Sequence, residues 1–272
     1  MDSLTVLLAA LATLAVAGLL LGVWMMVVLR VYRLARPGPV PLFLRAADGW
    51  GLVLYYRAPA VRRYDEPVVL CHGLAANHRN LDFEPPYSLA KYLADAGFEC
   101  FSVEWRGTGA SCRPPRGVHR TDYSIDDHID LDAPAFLETA LHRTGARRAF
   151  WVGHSLGGLI GYAVAQGRHS DKLAGLVTAG SPAFFRYPAY MRQVVRLAKA
   201  LSWPLALRQR WFSIATAPFV GRLRLPITDV LLNTEHIPPW LQRKIYAQVV
   251  SSVSRKVVLQ FADWLSGDAF RS

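Results

Sequence analysis

The chain has 272 residues, 52% of them hydrophobic, and a formal net charge of +11. That length and composition allow one large domain plus a membrane-associated part. The charge invites a nucleic-acid partner, but the basic residues do not form one run and no nucleic-acid motif accompanies them, so none is expected.

The first element is a candidate transmembrane helix over residues 4–29. No residue from Leu4 to Leu29 is charged, and roughly 20 apolar residues span a bilayer core. A cleavable signal peptide competes, since Ala15-Val16-Ala17 resembles a cleavage site. No positive residue precedes the run, however, and the apolar stretch continues well past that point, which favours a retained anchor. Arg30, Arg33 and Arg36 follow at once, with no acid among them. The positive-inside rule then places the carboxyl side, and with it the rest of the chain, in the cytoplasm. Residues 30–41 form a basic, Pro-rich linker that ends in the stiff Pro37-Gly38-Pro39-Val40-Pro41.

A core over residues 42–182 comes next. Leu42–Arg45 and Leu52–Tyr56 read as a hairpin around Asp48-Gly49. Val68–Cys71 is a short continuous apolar run, the pattern of a strand buried on both faces. Ser88–Ala96 has helical spacing and stops at Gly97, and Phe98–Val103 reads as the next strand. Asp130–Arg143 is a helix pattern ending at Gly145. Ala149–Val152 is a strand, a helix runs to Gln166, and Leu173–Ala179 closes the series. Strands alternating with helices imply an α/β fold with a mainly parallel sheet flanked by helices. Cys71, Cys100 and Cys112 are an odd set, two of them in apolar strands, which points to reduced thiols. No Cys/His spacing resembles a metal site, and no cofactor is implied.

The sharpest motif is Gly153-His154-Ser155-Leu156-Gly157-Gly158, between an apolar strand and an apolar helix. A Gly-x-Ser-x-Gly turn in that setting strains the serine backbone and lifts its hydroxyl out of the fold, while the following helix points amides at the reacting centre. Ser155 is therefore the candidate nucleophile. His154 adjoins it on the turn and reads as structural. The acidic cluster Asp126, Asp127, Asp130 and Asp132 precedes Pro134, as expected of a helix start.

Three motifs in chain order carry a family resemblance: Leu70-Cys71-His72-Gly73-Leu74, Arg106-Gly107-Thr108-Gly109-Ala110-Ser111, and the turn at Ser155. Over residues 42–182 the chain resembles the α/β-hydrolase superfamily, particularly membrane-associated esterase and lipase-like members with a helical cap. The resemblance implies an acyl-serine mechanism. The backbone amides of Leu74 and Leu156 would receive the charge developing on the substrate oxygen. His72 would support the loop rather than react.

Residues 183–272 read as a helical cap. Tyr190–Leu201 is a basic amphipathic helix, and ten Lys/Arg fall between Arg186 and Lys244 against Asp229 and Glu235. Such a segment suits anionic headgroups. Gln260–Leu265 reads as the last cap helix, with no strand after it. The resemblance implies the triad order Ser, acid, His, yet of the eight histidines only His236, beside Glu235, comes far enough after Ser155. Adjacent side chains diverge, so that pair is a poor acid and base. The expectation is a form lacking the last strands, whose intact version hydrolyses lipophilic esters. Acyl transfer, thioester cleavage and a non-catalytic membrane-bound scaffold are the alternatives. Substrate chain length and oligomeric state are not legible.

Overall fold

The computed structural model describes residues 2–34, 38–182, 193, 202–222 and 235–266. The described chain divides into a larger unit, Ala35–Gln209 with Ser251–Ser272, and a smaller one, Met1–Leu34 with Arg210–Val250. The expected basic helix over Tyr190–Leu201 lies, but for Gln193, outside the described residues.

The larger unit is built on a six-stranded sheet in the order β1-β2-β4-β3-β5-β6. Its strands are β1 Val40–Arg45, β2 Gly51–Arg57, β3 Val68–Cys71, β4 Cys100–Glu104, β5 Ala149–His154 and β6 Leu173–Ala179. The β1/β2 hairpin and its junction to β4 are antiparallel, and β4, β3, β5 and β6 run parallel. Every residue of β3 and β4 is buried, as continuous apolar runs in the middle of a two-faced sheet require. At the β6 edge the pattern loosens, and Val177 is 56% exposed.

Local chemistry fixes the helices. Ser88 caps α2, Leu89–Ala96, by accepting from the Lys91 amide, and Gly97 ends it in the left-handed region. The Phe98 amide then donates back to the Leu93 carbonyl, a capping pattern that keeps Phe98 out of the sheet. For that reason β4 begins at Cys100 rather than at Phe98. The helix expected from Asp130 also begins earlier. Ser124 and Asp127 form a capping box at Ile125–Asp127, a π turn follows over His128–Asp132, and α3 continues as Ala133–Thr144.

Asp127 thus serves a helix start, as expected of the acidic cluster, and Asp132 does not. Its carboxylate is fully buried and accepts from Arg106 Nε at 2.8 Å, and His128 Nδ1 lies 2.9 Å from its other oxygen. Arg106 also reaches Asp48, at 2.8 Å, and its guanidinium lies over the Trp50 ring. A buried guanidinium needs its charge compensated, and Asp132 and Asp48 supply that.

The core gathers Trp50, Phe101, Trp105, Phe136, Trp151, Leu159 and their neighbours, and it includes Val257 and Trp264. The last two lie on a helix of the larger unit, Arg255–Ser266, within which the expected Gln260–Leu265 segment falls. In the smaller unit, the 29-residue helix α1, Ser3–Val31, is joined by Ser202–Thr216 from Arg210 onward and by Pro239–Gln248. Val28 packs there with Ile214, Ala217 and Ala247.

Candidate active site

The turn from β5 into the following helix, α4 (Leu156–Gln166), holds Ser155 at φ 50° and ψ −117°. A non-glycine residue there is strained, and the surroundings pin it. The Ser155 amide donates to the Ala179 carbonyl at 2.8 Å, extending the β5–β6 ladder by one bond. Its carbonyl accepts from the Gly158 and Leu159 amides and from Ser181 Oγ. From below, Trp151 Nε1 donates to the Gly157 carbonyl at 2.9 Å. The glycines fit the turn for a steric reason. A Cβ on Gly157 would stand 2.2 Å from the Cys71 carbonyl oxygen, and one on Gly153 2.4 Å from the Gly158 nitrogen.

The loop after β3 lies against this turn. A Cβ built on Gly73 would stand 3.1 Å from Ser155 Cβ and 3.0 Å from His154 Nδ1. The structure therefore brings Gly73, the residue before Leu74, against the Ser155 turn. Among the described residues, the amides of Leu74 and Leu156 donate to no protein acceptor. Leu156 is also the first residue of α4, where the helix dipole adds positive character. Among the described residues, one amide without a protein acceptor thus stands at the start of α4 and another on the loop after β3.

The histidines of the motif hold the loop. His72 is buried, with Nδ1 2.9 Å from the Gly73 carbonyl, and its own carbonyl accepts from Trp105 Nε1 at 3.1 Å. Burial drives its pKa down to about 4, so the ring is neutral at neutral pH. His154 turns to Asn80, Nδ1 to Oδ1 2.8 Å, and burial lowers its pKa also. Burial pushes the Cys71 thiol well up, so it stays protonated.

His78 is bonded to the buried Glu104 carboxylate, which also accepts from Thr108 Oγ1, while Tyr55 stacks on the His78 ring at 3.6 Å. Burial works against the charge on Glu104, yet His78 holds its carboxyl below the usual range. Among the described residues of the larger unit, no histidine or carboxylate makes a hydrogen bond with the Ser155 hydroxyl. Glu235 and His236 are exposed residues of the smaller unit.

Asn80, Ser251 and Asn77 also support the loop. Asn80 Oδ1 accepts from the Gly73 amide at 3.3 Å. The Ser251 amide donates to the Ala75 carbonyl at 2.8 Å, and Asn77 Nδ2 donates to Ser251 Oγ. Asn77 is legible only as the cap of the turn His78–Asn80. The contact with Ser251 spans 174 positions and has no local pattern.

Among known proteins, the chain is similar to gastric triacylglycerol lipase of Mus musculus, at 34% identity over 126 residues, 42% of this chain and 32% of that protein. It is similar to a tear acid lipase-like protein of Mesocricetus auratus at 36% identity over 99 residues, 34% of this chain and 25% of that one. The chain thus spans about a quarter to a third of the length of these curated relatives. Among solved structures, a thermophilic esterase from Thermogutta terrifontis superposes with a TM-score of 0.53 at 17% identity, over 82% of this chain and 72% of that one. An esterase from Exiguobacterium antarcticum gives 0.51 at 16%, over 83% and 73%. These likenesses are of fold. The family model described as "alpha/beta hydrolase fold" matches residues 66–216, which holds β3 to β6, the loop after β3 and the Ser155 turn. Covering more than half of the sequence, that match establishes that the chain belongs to the α/β-hydrolase fold family.

Proposed function

We propose that the protein is a membrane-anchored esterase or lipase-like hydrolase that acts on lipophilic esters through an acyl-serine formed at Ser155. The observation that carries the reading is the strained Ser155 at the start of α4, facing a loop whose Leu74 amide, like that of Leu156, is unspent. In this reading the Ser155 oxygen attacks the ester carbonyl and the carbonyl oxygen becomes an oxyanion held by the two amides. As the oxyanion collapses, the ester C–O bond breaks and the alcohol leaves with the proton that the Ser155 hydroxyl gave up, passed through solvent. Water then adds to the acyl-serine, the acid departs and the proton returns to the Ser155 oxygen. The substrate class comes from the likeness to triacylglycerol lipases.

The helix Ser3–Val31 is long and apolar enough to cross a membrane. We read it as the anchor, with the arginines that follow it on the cytoplasmic side. The fitting test is hydrolysis of p-nitrophenyl esters of increasing acyl length by the full chain in detergent, beside Ser155→Ala. Turnover that favours longer chains and vanishes in the variant is expected. Turnover that survives Ser155→Ala would refute the assignment.

One observation favours a second reading. No described side chain of the larger unit takes the proton of the Ser155 hydroxyl, and a serine without a base is a weak nucleophile. A non-catalytic membrane-bound binding protein would show no turnover of any ester, in the wild type or the variant.

A further inference from the structure

The smaller unit carries a second feature, independent of Ser155. Every residue from Asp2 to Leu21 is exposed, and packing on α1 begins only at Trp24. Trp24 Nε1 donates to the Ala215 carbonyl at 3.0 Å, and its ring lies 6.4 Å from Phe219. Met25, Val28, Leu29 and Tyr32 continue that contact along one face. At about 1.5 Å per residue, the bare stretch Ser3–Val23 is roughly 31 Å long, which matches the roughly 30 Å hydrocarbon thickness of a bilayer. A span seated that way brings the packed helices to the headgroup boundary.

The surface of those helices suits that depth. Trp211 is 54% exposed, Phe212 70%, Phe219 48% and Trp240 47%. All belong to elements that pack on the last turns of α1. Arg30, Arg33 and Arg222 are exposed on the same unit, and Lys244 Nζ stands 5.7 Å over the Trp240 ring. Among the described residues of 24–34, 210–222 and 235–250, Glu235 is the only acid. Exposed large aromatics are unusual on a water-facing surface. Tryptophan is enriched at the membrane interface, where basic side chains meet anionic lipid.

We propose that residues 210–222 and 239–248 form an interfacial foot, seated at the carboxyl end of α1, whose Trp211, Phe212, Phe219 and Trp240 enter the headgroup layer of an anionic bilayer. The foot fixes α1 at one depth and one end, which a bare apolar helix does not. The inference rests on the anchor reading of α1, and the test separates the two.

The experiment places single cysteines at Leu14, Phe212 and Trp240 of the full chain, in a Cys112→Ser background, since Cys71 and Cys100 are buried. Each cysteine carries an environment-sensitive nitrobenzoxadiazole dye. The protein is reconstituted in phosphatidylglycerol-containing vesicles whose lipids are brominated near the headgroup or deep in the chain. The label at 14 should be quenched by deep bromines. Labels at 212 and 240 should be quenched at least about twofold by shallow ones, as for side chains sunk roughly 5–10 Å into the interface. That quenching should weaken in purely zwitterionic vesicles.

Water-like, unquenched emission at 212 and 240 with a quenched 14 overturns the foot and leaves the anchor standing. Blue-shifted emission at 212 and 240 that no bromine quenches marks a protein cover, such as a second copy, and also overturns it. Quenching equal in zwitterionic vesicles overturns the preference for anionic lipid. An unquenched 14 refutes the span itself, and the foot with it.

Discussion

Asn80 Oδ1 joins the two halves of the candidate site, lying 2.8 Å from His154 Nδ1 on the serine turn and 3.3 Å from the Gly73 amide on the loop after β3. A carboxamide oxygen only accepts, so Nδ1 carries the His154 proton. One atom therefore sets the distance between the Gly73-Leu74 backbone and the strand end that presents Ser155.

Asn80→Leu should leave two donors unpartnered, at a cost of about 1–3 kcal/mol, and should slow covalent capture of Ser155. Asn80→Asp keeps an acceptor oxygen and should lose less of both. Thermal unfolding by circular dichroism in detergent and the rate of fluorophosphonate labelling measure the two effects. Equal values for Asn80→Leu and wild type would remove the tether role.

Gly157→Ala places a methyl where the Cys71 carbonyl oxygen stands 2.2 Å away. Backbone must shift to admit it, and the strained Ser155 geometry goes with it. We expect labelling to fall on the order of a hundredfold, the scale on which small misplacements act. Unchanged labelling would mean the turn tolerates an open form.

Arg106→Leu should destabilise the larger unit by about 3–5 kcal/mol, the usual cost of leaving a buried charge unpaired. Asp132 is fully buried and keeps only His128 and the Arg106 backbone amide as partners once the guanidinium is gone. Urea unfolding followed by tryptophan fluorescence reads the loss. A midpoint equal to wild type would show that the Arg106–Asp132 pair contributes nothing measurable to stability.

His72 gives a pH dependence with a definite sign. Burial lowers its pKa from 6.5 to about 4 in the folded state, so below about pH 6.5 the unfolded chain binds the extra proton. Stability from this group is full above pH 6.5 and drains as the pH falls towards 4. The total is about 3 kcal/mol at roughly 1.4 kcal/mol per unit. His72→Gln should flatten that part of the stability curve between pH 7 and 5. An equal loss in variant and wild type would assign the dependence to other groups.

The strands and the serine turn were legible because their signals are local. Val68–Cys71 and Leu173–Ala179 are strands at the expected boundaries, since each is an apolar run bounded by turn residues. Ser88 and Gly97 bracket α2 for the same reason. What escaped reading is what the fold assembles over distance. Asp132 sits among helix-start residues and reads as one of them, yet its partner Arg106 is 26 positions away. Asn80 is one polar residue in a polar loop until folding brings His154 beside it, 74 positions on. Ser251 supports the loop at Ala75 from a segment whose sequence carries no motif. The foot on α1 pairs Val28 with Ala217 and Ala247, and small apolar residues announce no partner.

Covalent capture of Ser155 tests the central claim most directly. The full chain in detergent is incubated with a long-alkyl fluorophosphonate, and the modified peptide is located by mass spectrometry. Modification at Ser155 alone is expected, absent in Ser155→Ala, with a rate that climbs with pH because no described side chain of the larger unit holds the hydroxyl proton. A Ser155 that stays unmodified at every pH where the chain is folded, or modification that survives Ser155→Ala, would contradict it.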